Sequence, residues 1–295
     1  MTGQKETNIT KSKTSFDKDS LIESGSLNIK NDGGLMYITF PSFERAGGVT
    51  ALFTTRMGGV SRGRYASMNM SFSNGDDREN VLKNFKILCR SAGLDYSRLV
   101  FSHQTHTVNL RCVTEDDAGK GIVKTRDYED IDGLLTNVRG IGLVTQFADC
   151  VPLLFYDPVK RVVAASHAGW RGTFGEIGRL IVEKMVEQYG CRTENILAAI
   201  APSICKNCYE VDEPLYKAAA GIPYLPLDEV IKKKEDGKYM LDLWECNRRI
   251  LMHAGILPKN ITVTDLCTNC NSHIFHSHRA TKGQRGNLAA IIALK

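Results

Sequence analysis

Three side chains with metal-binding chemistry stand where apolar runs of the sequence end: His106, Cys150 and His167. A thiolate and two imidazoles suit zinc, and three protein ligands leave a fourth position for water or substrate, the pattern of a catalytic site. Their separation is far too wide for a zinc finger, so only folding could bring them together. Two of them also allow a metal-free reading, with Cys150 as nucleophile and His167 as its base. His167 lies in Ser-His-Ala-Gly-Trp-Arg-Gly, residues 166–172. This stretch separates an apolar run at 161–166 from a helical pattern at 175–188, which predicts a strand-to-helix turn over a sheet end, where ligands bind in many α/β folds.

A second pattern is more local. Cys205 and Cys208 form one CxxC and Cys267 and Cys270 another, with His273, His276 and His278 close behind. Two such pairs could close a four-thiolate zinc site, which stabilises a fold but cannot present water to a substrate. Arg56, Arg171 and Arg279 stand in predicted loops where a guanidinium fork could hold phosphate or carboxylate. Asn69, Gln104 and Asp149 are polar residues near these positions that could place a proton or a hydroxyl.

The elements that must position these groups follow from periodicity. Residues 1–35 are polar and without period, and are expected to form a loosely attached tail, leaving 36–295 as one catalytic domain. Strands are predicted at 36–43, 49–54, 99–102, 108–113, 132–136, 141–146, 151–156, 161–166, 196–201, 261–265 and 288–294. The pair at 151–156 and 161–166 is joined through Asp157-Pro158 as a hairpin. Helices are predicted at 76–92, with Asp76 and Glu79 as a capping box, at 175–188 and at 242–254. Residues 115–130 read as surface loop and 223–239, with three consecutive lysines, as an exposed excursion. Strands and helices are interspersed without strict βαβ alternation, so the expected fold class is mixed α/β: a single-domain sandwich with mixed sheets and flanking helices.

Composition narrows the functions. The net charge of +5 is modest for 295 residues, and its basic residues are scattered, which argues against nucleic acid. No segment approaches a membrane span and the N-terminus lacks a signal-peptide core, so a cytoplasmic location is expected. Nine cysteines then point to thiol or metal chemistry before disulfides.

These residues follow, in order, the pattern of a known family. Thr55-Arg56-x-Gly-Gly-Val60-Ser61, Met68-Asn69 with Gly75-Asp76, Gln104-x-His106, Ala148-Asp149-Cys150, His167-Ala-Gly-Trp-Arg171-Gly, Ala201-Pro202-Ser203-Ile204 with Tyr209-Glu210-Val211, Leu266-Cys267-Thr268 and Phe275-x-Ser277-x-Arg279 resemble the YfiH/laccase-domain family, formerly called multi-copper polyphenol oxidoreductases. The resemblance runs from about residue 45 to the C-terminus. It implies one zinc on His106, Cys150 and His167, and a fold like that of cysteine-hydrolase-like toxins. The implied activity is phosphorolysis of adenosine, inosine, guanosine and methylthioadenosine, with deamination of adenosine. The implied partners are a nucleoside and phosphate, in a monomer or small homo-oligomer. A Cys/His hydrolase or amidase editing peptidoglycan precursors, a copper oxidase and a non-enzymatic zinc-stabilised binding module are the competing readings. The sequence departs from the family near its end, where Asn287 follows Gly286 in place of arginine, with Arg285 just before. Neither CxxC belongs to the widespread family core.

Overall fold

A computed structural model describes residues 25–295. In chain order its strands are β1 Asn28–Asp32, β2 Leu35–Thr39, β3 Val49–Thr54, β4 Leu99–Phe101, β5 Leu110–Cys112, β6 Gly133–Thr136, β7 Gly142–Phe147, β8 Val151–Asp157, β9 Val162–Ala168, β10 Leu197–Ile200, β11 Glu210–Val211, β12 Ile231–Lys233, β13 Tyr239–Leu241, β14 Ile261–Val263 and β15 Leu288–Leu294. The helices are α1 Pro41–Ala46, α2 Arg78–Ala92, α3 Trp170–Phe174, α4 Ile177–Tyr189, α5 Glu213–Ala220, α6 Leu227–Val230, α7 Leu243–His253 and α8 His278–Thr281.

Two six-stranded mixed sheets, β1-β2-β3-β15-β7-β4 and β14-β10-β8-β9-β6-β5, face one another, and a three-stranded sheet, β11-β13-β12, hydrogen-bonds to neither but packs Val211, Ile231, Tyr239 and Leu241 into the α4 and α7 layer. The alternation of side chains along the central strands builds the layers. In β15, Leu288, Ala290, Ile292 and Leu294 pack with Leu154, Tyr156, Val163 and Ala165 of the second sheet, while Ala289 and Ile291 join Val81, Phe85 and Leu88 of α2. In β8, Leu153 and Phe155 face Ile181 and Met185 of α4 and Ile250 of α7. Both faces of these strands are covered, which is why they read as unbroken apolar runs. The expected mixed α/β sandwich with flanking helices is the observed one.

Several expectations change. The first 24 residues of the expected tail lie outside the described residues, but the tail does not extend to 35. Asn28–Asp32 pairs antiparallel with Leu35–Thr39. The turn is Gly33-Gly34, both at positive φ, the backbone that tight hairpins require. The strand expected at 36–43 stops at Thr39, because Pro41 opens α1 at a position where a missing N–H costs nothing. Helix α2 is capped by Asp77, whose carboxylate accepts the Glu79 N–H, and not by Asp76, whose carboxylate accepts from Asn69. The excursion at 223–239 is anchored, with Leu225, Val230, Ile231 and Tyr239 buried against the α4 and α7 layer; its lysines face outward and mask those anchors in the sequence.

Candidate functional site

Register explains how two of the three metal-type residues meet. In the antiparallel pair β8 and β9, Val151 lies opposite Ala168 and Pro152 opposite His167. Cys150, immediately before β8, therefore sits beside the end of β9. His167 shares the parity of Val163 and Ala165, so its ring points into the space between the sheets, where Phe147 of β7 packs against it at 5.6 Å. His106 arrives on the loop after β4. The ligand atoms of His106, Cys150 and His167 all lie within 4.8 Å of one another, and the two rings meet edge to face at 4.8 Å.

Asp132 holds this arrangement. It is fully buried just before β6. Its Oδ1 accepts from His167 Nδ1 at 2.8 Å and from the His106 N–H at 3.2 Å, and its Oδ2 accepts from the N–H groups of Thr105 and Thr107. Its carbonyl accepts the His167 N–H. One carboxylate thus fixes the His106 loop, including the positive φ of 67° at His106, and commits His167 Nδ1 as a donor, which leaves Nε2 for the cluster. Carboxylate partners of this kind set the tautomer and basicity of metal-binding histidines. Burial opposes the Asp132 charge, but the bonds from His167, Thr107 and Thr105 overcome it and keep the carboxyl below its usual range.

Without a metal, burial also opposes a Cys150 thiolate, yet the charge of His167 and hydrogen bonds from both histidines bring the thiol down to about 6. Reciprocally, desolvation of His167 is outweighed by Cys150 and Asp132, which raise the imidazole to about 9. The group favours a thiolate, the form that binds metals. Gly169 completes the pocket: a Cβ there would lie 3.1 Å from His106 Cδ2 and 3.2 Å from Cys150 Sγ.

The cluster opens on a cavity of about 1010 Å³ lined by His106, Cys150, His167, Gln104, Gln146, Arg285 and Asn287, with Phe72, Phe101 and Ile122 as its apolar wall. The expected surface loop at 115–130 supplies another wall through Lys124, Arg126 and Tyr128. It is tied down by Arg126 donating to the Ser102 carbonyl at 2.9 Å and by the Tyr128 hydroxyl donating to the Phe101 carbonyl at 2.6 Å.

Of the six candidate substrate residues Arg56, Asn69, Gln104, Asp149, Arg171 and Arg279, Gln104 is the one that lines this cavity, and Arg285 and Asn287, where the sequence departs from the family, line it too. The Gln104 amide is fixed by Ser102 Oγ, the Gln146 N–H and the Gln146 carbonyl. Arg56 donates to the carbonyls of Ala66 and Ser272. Asn69 is buried in a network with Ser71, Asn74 and Asp76. The Asp149 carboxylate takes Thr268 Oγ1 and the Arg279 N–H. Arg171 lies over the Trp170 ring and Arg279 over Tyr209. The cationic side chains that line the cavity are Arg78, Lys124, Arg126 and Arg285. Cys205, Cys208, Cys267 and Cys270 converge in a second group, their sulfurs also within 4.8 Å of one another. Both groups could hold a metal.

A mixed α/β sandwich with a His, Cys, His cluster beside a large cavity defines a class of enzyme, and comparison with known proteins places the chain within it. It belongs to the family described as multi-copper polyphenol oxidoreductase laccase, whose model matches residues 50–295. It is similar to purine nucleoside phosphorylase YlmD of Bacillus subtilis, 39% identical over 251 residues, covering 84% of this chain and 89% of that protein. It is also similar to adenosine deaminase RL5 from an unknown prokaryote, 35% identical over 79% of this chain and 88% of that one. The crystal structure of hypothetical protein YfiH from Bacillus licheniformis superposes with a TM-score of 0.85 at 34% identity, over 90% of this chain and 99% of that chain. Among the described residues no helix is long and apolar enough to cross a membrane.

Proposed function

We propose that the chain is a zinc-dependent purine nucleoside phosphorylase that also deaminates adenosine, with His106, Cys150 and His167 as the metal ligands. The observation that carries this reading is the convergence of those three side chains on one wall of a cavity that also presents Arg126, Lys124 and Arg285. The names of the similar proteins support the nucleoside as substrate class. The donor set fits zinc: one thiolate, two imidazoles, a carboxylate behind His167, and no side chain on Gly169. Bound there, zinc would supply Lewis-acid charge to the departing purine or lower the pKa of the water needed for deamination.

The chain's own residues do the rest. In phosphorolysis a phosphate oxygen forms a bond to the ribose anomeric carbon as the bond to the purine nitrogen breaks, and the base leaves with the electron pair. Arg285 and Arg126 bind and orient the phosphate dianion by charge-assisted hydrogen bonds. Phe72, Phe101 and Ile122 pack the flat purine and exclude water. Asp132 keeps the proton on His167 Nδ1. Gln104, locked by its three bonds, holds the chain next to His106 in place.

One observation favours a second reading, a Cys150/His167 hydrolase or amidase: in the absence of metal the two form a thiolate and an imidazolium, the poise of a cysteine nucleophile and its base. A copper oxidase needs more imidazole and thiolate sets than the single His, Cys, His group among the described residues. The discriminating experiment incubates metal-quantified wild type and Cys150→Ala with inosine plus phosphate and with adenosine. Hypoxanthine release that needs phosphate, Cys150 and zinc supports the proposal. Turnover undiminished in the variant removes the metal mechanism, and turnover that survives complete zinc removal but not Cys150→Ala assigns Cys150 a metal-free role, as the Cys150/His167 pair requires.

A further inference from the structure

The two CxxC pairs meet because of strand register. β10 and β14 run parallel with Ile200 opposite Val263, and the alignment continues past the sheet as a bridge between Ser203 and Cys267. The Ser203 N–H donates to the Leu266 carbonyl, and the Thr268 N–H returns to the Ser203 carbonyl. Two chains leaving the sheet side by side thus deliver Cys205 and Cys267 together, and each CxxC turn brings its second cysteine back to the same point. Cys208 Sγ lies 3.3 Å from Cys270 Sγ. Thiolates about 2.3 Å from a tetrahedral zinc stand roughly 3.8 Å apart, so the observed group closes on an ion with small shifts. The backbone N–H groups of Cys205 and Cys270 both point at Cys267 Sγ, at 3.3 and 3.4 Å, as donors that stabilise a bound thiolate.

What lies next to this group gives it a role. Ile204, adjoining Cys205, donates its N–H to the Asp149 carbonyl at 3.0 Å. Thr268, adjoining Cys267, donates its hydroxyl to Asp149 Oδ1 at 2.6 Å. Asp149 is a non-glycine residue at φ 87°, a conformation that costs energy unless its surroundings impose it. It immediately precedes Cys150. Each CxxC arm therefore holds one side of the residue that aims the thiolate into the cavity.

We propose that Cys205, Cys208, Cys267 and Cys270 bind a structural zinc ion that clamps Asp149 between the two arms and so positions Cys150. The second half rests on the reading of Cys150 as a metal ligand; the first half stands without it. Asp149 is a positioning residue in this scheme, and neither it nor the four-thiolate site touches the cavity.

The test uses the full chain purified under reducing, anaerobic conditions, with zinc measured by elemental analysis and thiols by chemical titration. Cys208→Ser and Cys270→Ser should each carry one zinc equivalent less than wild type, as should Cys150→Ala, and Cys208→Ser combined with Cys150→Ala should lose both. Cys208→His keeps four ligands and should restore the equivalent lost in Cys208→Ser, whatever the stability of the serine variant. Cobalt replacing the zinc of Cys150→Ala should show the intense sulfur-to-cobalt charge-transfer bands of a tetrathiolate. Unchanged zinc in Cys208→Ser, or a Cys208–Cys270 disulfide in the reduced preparation, would overturn the site. For the clamp, Thr268→Val should keep the four-thiolate zinc while weakening zinc at His106, Cys150 and His167 by about 10- to 100-fold in a chelator competition. Wild-type affinity there overturns the clamp and leaves the site. None of these readouts depends on nucleoside turnover.

Discussion

Asp132 Oδ1 stands 2.8 Å from His167 Nδ1, and the same carboxylate takes the N–H groups of Thr105, His106 and Thr107. A single buried anion therefore governs both histidines of the cluster. In Asp132→Asn one oxygen becomes an NH2 that faces N–H donors it cannot accept from. We expect metal affinity to fall about 10- to 100-fold and stability to fall by about 3 kcal/mol, since a charged acceptor of several buried donors is removed. Chelator competition and denaturant unfolding measure the two effects. Wild-type affinity in a folded Asp132→Asn would remove Asp132 from the metal-centre argument.

Gly169 offers a purely steric probe. Its φ of −64° suits any residue, so alanine introduces no backbone strain, and its Cβ meets His106 Cδ2 at 3.1 Å and Cys150 Sγ at 3.2 Å. Gly169→Ala should cost about 1–3 kcal/mol through overcrowding and lower zinc occupancy, while the far-ultraviolet circular dichroism stays that of wild type. Full zinc occupancy and full turnover in the alanine variant would show that the three ligands do not close on the space Gly169 leaves.

The legibility of the site divides along the same line as its contacts. Cys150 and His167 could be read from the sequence because both stand where apolar strands end, and the Asp157-Pro158 turn implied the hairpin that pairs them. Asp132 could not: it looks like an ordinary acid before a strand, and the groups it accepts from lie 25 to 35 positions away. The surroundings of Arg56 were equally hidden: its Nε and Nη1 donate to carbonyls on segments the sequence does not show to be neighbours. Arg126 lay in a stretch that reads as solvent loop because its contacts are to backbone atoms. The central strands were legible as apolar runs, since both faces are buried, although β9 continues past the expected 161–166 to Ala168 and takes His167 out of the expected turn; β1 and β12 were hidden by polar residues on exposed edges.

Acid sensitivity should arise in part from His276. This ring is 1% exposed; burial, reinforced by the charges of Arg56 and Arg285, pushes it down to about 3. Its folded pKa is thus below the unfolded value of roughly 6.5, so its neutral form stabilises the fold above that value. The contribution is lost as pH falls from 6.5 toward 3, at up to about 1.4 kcal/mol per pH unit. Unfolding free energies at pH 7 and pH 5 should diverge more for wild type than for His276→Gln. Equal acid losses in the two proteins would show that the ring is not held neutral.

Arg285 allows the two proposed reactions to be separated. It lines the cavity with Cys150, its Nη1 donates to Asn287 Oδ1 and the Gly286 carbonyl, and its Nε is buried without a partner. A dianionic phosphate would meet that need, and adenosine deamination has no phosphate to bind. Burial lowers the guanidinium pKa from 12.5, with Asp149 and Cys150 acting against it; a guanidinium keeps its charge at neutral pH in proteins. A charge-assisted hydrogen bond is worth about 1.5–3 kcal/mol, equivalent to roughly 10- to 150-fold in a rate or binding ratio. Arg285→Gln should therefore lower kcat/KM for phosphate with inosine by that factor, mostly through KM, while kcat/KM for adenosine deamination changes by less than about threefold. Equal losses in both reactions would assign Arg285 to the shape of the metal centre, and no loss in either would leave Arg78, Lys124 and Arg126 as the cations available to phosphate.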